Sequence, residues 1–237
     1  MKCEARLIAL TQPTIELREA TPEGVVAYCA RVSNPQHQDK LVGSLFDYCI
    51  RNKHWSIFQM CNAVIELEAP RDITRQFTRH SSMYTLGDPF EAPGFNLEYG
   101  GVQEFSQRYS DEIEFTDRDF RRQDEKNRQN SIDDLRKDYL EISKSNTEDV
   151  RAHSASYYSW MINHGVAKEC ARVILPEGLT MSRLAVNATL RSWLHYVEVR
   201  DDPGVTQHEH VVLARKIKAV LEPVFPTVFG AINADKS

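Results

Sequence analysis

Short apolar runs and amphipathic stretches divide the chain into a mixed set of elements. "ARLIALT" (5–11), "NAVIELE" (62–68) and "MSRLAVN" (181–187) read as strands, the last by clear alternation of apolar and polar positions. Thr21-Pro22-Glu23 predicts a helix start, with Thr as N-cap and Pro in the first turn, and Ser33-Asn34-Pro35 predicts its end. Residues 39–52 predict a second helix with Leu41, Leu45, Tyr48 and Cys49 on one side. Ala69-Pro70 opens a third, running through His80. Residues 131–143 and 147–164 predict two further helices joined by "KSN". A short helix over 167–175 stops at Pro176, and 190–199 and 206–222 complete the set. The order of elements, without an internal repeat or a convincing linker, predicts one α+β domain over 1–237, a mixed or antiparallel sheet flanked by helices.

Two segments break this rhythm. Residues 85–101 hold four glycines and two prolines, the composition of a loop or an ordered excursion. The charged tract from Asp117 to Asp138 reads as a solvated face.

Composition narrows the function classes. A net charge of −5 argues against a dedicated binder of long nucleic acids, yet leaves room for a local arginine cluster that grips a small anion. No apolar run approaches the ~18 residues of a membrane span. Met1-Lys2-Cys3-Glu4 lacks the apolar segment of a signal peptide, so the cytoplasm is the expected compartment. The five cysteines are an odd number at wide spacing and predict buried, reduced thiols rather than a nucleophile or a metal set. His208-Glu209-His210 is the nearest approach to a metal cluster, but two His at i and i+2 lie on different sides of a helix; no metal is expected.

The chemistry concentrates on arginine. Arg71, Arg75 and Arg79 recur every fourth residue along one helix face, with Gln76 and His80 beside them. Arg108 in "FSQRYS", Arg172 in "CARVILP", Arg191 in "TLRSWLHY" and Arg200 in "HYVEVRDD" sit in uncharged or apolar settings. Guanidinium suits bidentate grip on phosphate or a planar carbonyl pair, so the pattern points to a small-anion site. The ten glycines form neither a dinucleotide-binding nor a P-loop fingerprint, so a nucleotide must be held by side chains.

At these residues the chain resembles the flavin-dependent thymidylate synthases. Their signature is Arg-His-Arg, a short spacer, then Ser-x-Arg. Here it reads Arg79-His80-Ser81, 24 residues, then Ser106-Gln107-Arg108. "CARVSNP" (29–35), "HWSIFQ" (54–59), "ECARVILP" (169–176) and "TLRSWLHYVEVR" (189–200) match in the same order, so the resemblance covers most of the chain. It implies reductive methylation of dUMP to dTMP, with FAD as cofactor, methylenetetrahydrofolate as one-carbon donor and NADPH as reductant.

It also implies roles. Gln76, Arg79, Glu104, Phe105, Ser106, Gln107, Arg108, Arg172 and Arg200 would bind dUMP. Ser56, Arg79, His80, Ser81, Glu104, Thr189, Arg191 and His195 would hold FAD. Arg200, at the uracil edge, and Ser106, as a phosphate or ring contact rather than a nucleophile, are the catalytic candidates. The resemblance further implies a homotetramer whose subunits share active sites, with the Ser106–Arg108 stretch contributed by a neighbour. Three departures stand out: Ser81 replaces an Arg, Gln59 and Thr189 replace a frequent Glu and Asn, and 82–105 is an inserted loop. A nucleotide- or nucleic-acid-binding relative with lost or altered catalysis is the alternative, and a dUTP hydrolase lacks its carboxylate cluster.

Overall fold

The computed structural model describes residues 1–79 and 101–235. The order of the four-stranded antiparallel sheet is β1-β2-β6-β3, formed by β1 (Glu4–Leu10), β2 (Asn62–Pro70), β3 (Gly101–Glu104) and β6 (Met181–Thr189). β4 (Arg122–Gln123) and β5 (Ser131–Ile132) form a separate small ribbon. The α+β expectation holds.

Alternation along the central strands sets the layers. β2 buries Ala63, Ile65, Leu67 and Ala69, and β6 buries Leu184, Val186 and Ala188 on the same core. Helices α1 (Pro22–Ala30), α2 (Leu45–Arg51), α3 (Arg71–Thr78), α6 (Leu190–Arg200), α7 (His208–Leu221) and α8 (Pro226–Asp235) all contribute to it, through residues such as Val26, Phe46, Phe77, Trp193, Ile217 and Phe229. Glu66, Glu68, Arg183 and Asn187 occupy the alternate positions of β2 and β6.

Several local expectations give way to the structure. Thr21 does cap α1, accepting from the Gly24 N–H at 3.0 Å. The helix expected over 39–52 begins only at Leu45, because Gly43 takes φ +51 and breaks the helical path. Its buried residues are Phe46, Cys49 and Ile50, while Leu41 and Tyr48 are exposed. The two helices expected around "KSN" are one, α4 (Lys137–Asn163); no Gly or Pro interrupts it, and Ser145 and Asn146 cost too little helix propensity to end it. α5 (Lys168–Ala171) continues as a 3-10 turn, Arg172–Ile174. The charged tract is not a solvated face throughout. The Arg118 and Arg121 side chains are only 12% and 13% exposed and turn inward onto Asp72 and Glu209. Among the described residues no helix is long and apolar enough to cross a membrane.

Candidate active site

One end of the sheet gathers the Ser-x-Arg stretch. Glu104, the last residue of β3, pairs with Leu184, and the Phe105 N–H donates to the Arg183 carbonyl at 2.8 Å. At the same end the Arg71 N–H, opening α3, donates to Thr180 at 2.9 Å. Register therefore places "FSQRY" beside the first turn of α3. Glu104 accepts from the Ser182 hydroxyl at 2.7 Å. Ser106 Oγ accepts the Arg108 N–H at 3.3 Å, and the Ser106 carbonyl accepts from Tyr109 at 3.1 Å, closing a tight turn.

That turn lies against α5. Arg108 Nε sits 3.5 Å from Glu169, and Lys168 Nζ donates to the Tyr109 carbonyl at 3.2 Å. Arg172 follows α5 directly, three positions after Glu169, the carboxylate that Arg108 faces. Arg108 is exposed and its carboxylate contact is loose, which leaves the guanidinium available to an incoming anion. Beside it, Tyr109 and Val173 are 83% and 80% exposed, apolar surface that solvent does not favour. Gln107 alone turns inward: it is buried, and its side-chain carbonyl accepts from Arg71.

The arginine stripe of α3 divides. Arg71 goes to Gln107, Arg75 Nε to Glu177 at 2.5 Å, and Arg79 remains exposed at the helix end. Gln76 Nε2 donates to Gln207 Oε1, the side-chain amide oxygen, at 2.8 Å, tying α3 to the start of α7. Phe77 locks α3 onto α6, with its ring 4.9 Å from Tyr196 and 6.2 Å from Trp193. Four residues after Tyr196 comes Arg200, half-buried, whose Nε is enclosed with no hydrogen-bond partner among the described residues. A buried donor left open in this way is a cost that a bound acceptor removes. Burial pushes the Tyr196 hydroxyl well above its usual range, partly offset by the nearby positive charge of Arg200.

Of the described candidates for FAD, Glu104 lies beside the Ser106 turn and Arg79 at the end of α3, while Ser56, Thr189, Arg191 and His195 lie elsewhere. Ser56 is exposed on a 3-10 turn, Trp55–Met60, just before β2, and Leu190 at the start of α6 donates to Cys61 at 2.7 Å. Asn62 pairs with Thr189, so this is the opposite end of the sheet from Ser106. The nine residues of β2 separate the two ends by roughly 27 Å. Thr189 caps α6, its hydroxyl accepting from the Ser192 N–H at 3.2 Å and donating to Ser192 Oγ at 3.1 Å. Thr189→Ala is expected to lower stability by about 0.5–2 kcal/mol, read from the thermal midpoint of the purified protein. Arg191 is half-buried and His195 exposed on α6. His195 and Arg200 are five residues apart, roughly 140° around the helix, and so face different sides. His80, Ser81 and the 82–100 part of the inserted loop lie outside the described residues.

Four of the clefts on the described surface are lined by residues other than Arg79, Ser106, Arg108, Arg172 and Arg200. The one that Phe105 borders, about 140 Å³, is lined also by Glu68, Glu112 and Glu114, which repel a phosphate. Cys3, Cys49 and Cys61 are buried, as expected; Cys29 is half-buried, and Cys170 is exposed on α5, against the expectation of a buried thiol. Burial pushes the thiols of Cys3 and Cys61 up to about 11 and raises that of Cys49, so all three stay protonated at neutral pH.

Sequence reasoning missed the buried charges behind this site. Arg121 donates to Glu209 at 2.7 Å, and Arg118 bridges Asp72 on α3 to Glu209 on α7. Their aromatic neighbours, Phe115 and Phe120, are the one signal in "EFTDRDFRR" that this tract turns inward.

An antiparallel sheet with helices packed on its core side defines an α+β protein, and the exposed guanidinium of Arg108 and the Arg200 Nε, unpartnered among the described residues, are two groups on it open to an acceptor. The comparisons are specific. The chain matches the thymidylate synthase complementing protein family over residues 16–227 and belongs to it. It is 38% identical to the probable flavin-dependent thymidylate synthase of Paramecium bursaria Chlorella virus 1, over 97% of this chain and 98% of that protein. It is equally identical, 38%, to the flavin-dependent thymidylate synthase of Synechocystis, over 97% of this chain and 99% of that protein. Among solved structures, the UMP/dUMP methylase PolB from Streptomyces cacaoi, bound with 5-Br dUMP, shares the fold with a TM-score of 0.72 at 22% identity, over 98% of this chain and 95% of that one.

Proposed function

We infer that this chain is a FAD-dependent thymidylate synthase. It methylates dUMP to dTMP, takes the one-carbon unit from methylenetetrahydrofolate and its reducing equivalents from NADPH, and uses no cysteine nucleophile. The observation that carries this reading is the near full-length likeness to flavin-dependent thymidylate synthases, supported by the packing of the Ser106–Arg108 turn against α5, the helix that Arg172 follows.

Arg108 and Arg172 grip the nucleotide phosphate, with the Ser106 hydroxyl and the backbone N–H groups of its turn as further donors. Gln107 contributes to the turn rather than to the ligand, because its side chain is turned inward. Arg200 faces the uracil edge, where its guanidinium stabilises negative charge developing on the ring and makes C5 more nucleophilic. It keeps its proton throughout, acting as an electrostatic activator and not as a base. Gln76 and Arg79 line the sugar side. Ser56, Arg191 and His195 suit a flavin dinucleotide: they are polar donors on exposed or half-exposed surface at one end of the sheet, the chemistry that a diphosphate and a ring edge require. FAD bound there supplies the redox chemistry and the route of the one-carbon unit.

The active unit is a homotetramer with sites formed between subunits, working in the cytoplasm. Two observations support the shared site. Ser56 and Thr189, expected at the flavin, stand at the opposite end of the sheet from Glu104, expected at both ligands, and the Ser106–Arg108 turn. The long helix α4 leaves Tyr139, Ile142, Val150, Tyr157 and Trp160 exposed, an apolar surface suited to a second copy. Arg108→Ala should weaken dUMP binding by about 1.5–3 kcal/mol, one charge-assisted contact, measured by titration calorimetry. Mixed oligomers of Arg108→Ala and Arg200→Ala subunits should regain activity that neither variant has alone; no recovery on mixing would mean that each subunit works by itself.

The function is tested by release of tritium from 5-tritiated dUMP. Release that requires FAD and NADPH is expected. Flavin-loaded, folded protein that releases none would overturn the reading.

A further inference from the structure

Arg71 has not been given a role. It opens α3, is half-buried, and donates to the side-chain carbonyl of Gln107. Gln107 is 3% exposed and lies between Ser106 and Arg108, so this one contact joins α3 to the middle of the phosphate-gripping turn. The two residues are 36 positions apart.

The partner's charge matters as much as the contact. Arg75 faces Glu177, and Arg108 faces Glu169. Arg71 faces a neutral amide and forms no ion pair among the described residues. Its charge is therefore tethered but not cancelled. A guanidinium held a few ångströms behind a turn, partly out of water, projects its potential through that turn.

We propose that Arg71 is a positioning residue of the nucleotide site, holding the Ser106–Arg108 turn through Gln107 and adding uncancelled positive potential beneath the phosphate. The proposal rests on the thymidylate synthase reading for the identity of the ligand. It also explains why glutamine suits position 107: the amide carbonyl accepts from Arg71 as a carboxylate would, without neutralising it.

Two variants separate the two parts. Arg71→Met removes both tether and charge. Gln107→Glu keeps the tether and cancels the charge. Amide hydrogen exchange over 105–110 reports the tether, with no ligand required; dUMP titration at two salt concentrations reports the potential. Arg71→Met should speed exchange in the turn at least about tenfold and weaken dUMP binding. Gln107→Glu should leave exchange as slow as in the wild type, yet weaken dUMP binding about three- to tenfold at low salt, with the deficit shrinking at high salt as screening grows. Unchanged exchange in Arg71→Met, with its thermal midpoint intact, would overturn the tether. Wild-type affinity in Gln107→Glu would overturn the potential. Failure of the wild type itself to bind dUMP would refute the functional reading, and exchange in the turn would still decide the tether.

Discussion

Arg200→Ala is expected to abolish turnover, lowering kcat/KM at least about a hundredfold, the scale seen when a preorganised electrostatic donor is removed. The argument is geometric before it is chemical. Arg200 ends α6, beyond the core anchors Trp193, Leu194, Tyr196 and Val197, so the helix packs without it. Its Nε is shielded and unpartnered among the described residues, so the side chain is held without being consumed by the fold. Loss of a group so placed should leave the thermal midpoint near the wild-type value while removing the charge proposed for the uracil edge. Arg200→Lys keeps the charge but not the planar fork, and should recover part of the rate. Tritium release from labelled dUMP, with FAD loading checked by absorbance, is the measurement; activity within severalfold of wild type would remove Arg200 from the chemistry.

Arg121→Met should be the most destabilising change behind the site. Glu209 is 3% exposed and accepts from Arg121 at 2.7 Å. Breaking a buried pair on one side leaves an uncompensated charge, which costs about 3–5 kcal/mol, or roughly 6–20 °C of thermal midpoint for a chain of this size. Arg118, 3.8 Å from Glu209 and already engaged by Asp72, can offset only part of this. Arg121→Met with Glu209→Leu should regain much of the loss, because the double change removes the stranded charge. The pH dependence follows from the same pair. Burial, the largest single influence, would raise the Glu209 carboxyl, but the hydrogen bond and charge of Arg121, the backbone N–H of Glu209 and the Gln207 side chain together outweigh it and hold the carboxyl below its usual range. A depressed folded value contributes stability that is fully present above the unfolded glutamate pKa of about 4.3 and is lost as pH falls through the folded value. Denaturant unfolding between neutral pH and pH 3 should show this acid-side loss in the wild type, and Arg121→Met should lack it.

The parts of the site legible from the residues are those whose chemistry is local. Thr21-Pro22 marks a helix start because a hydroxyl reaches a nearby N–H. "MSRLAVN" marks a strand because alternate side chains meet the core. Arg108, Arg172 and Arg200 stand out because guanidinium is costly to place among apolar neighbours without a purpose. Less was legible where the partner is remote. Arg71, Arg75 and Arg79 look equivalent at four-residue spacing, and three different environments separate them.

By itself, then, the chain determined β1, β2 and β6 but not β3, which falls in the expected loop, nor the β4–β5 ribbon; it determined most of its helices, its family and the residue types expected of an anion site, since hydrophobic period, capping and motif order act over a few positions. Only the tertiary structure decided that Gln107 faces inward, that Arg118 and Arg121 leave the solvated tract for a buried pair with Glu209, and that Ser106 and Ser56 stand at opposite ends of the sheet. Those outcomes depend on contacts between residues 36 and 88 positions apart. Neither partner carries a local signature of the other; strand register and helix packing choose the pair.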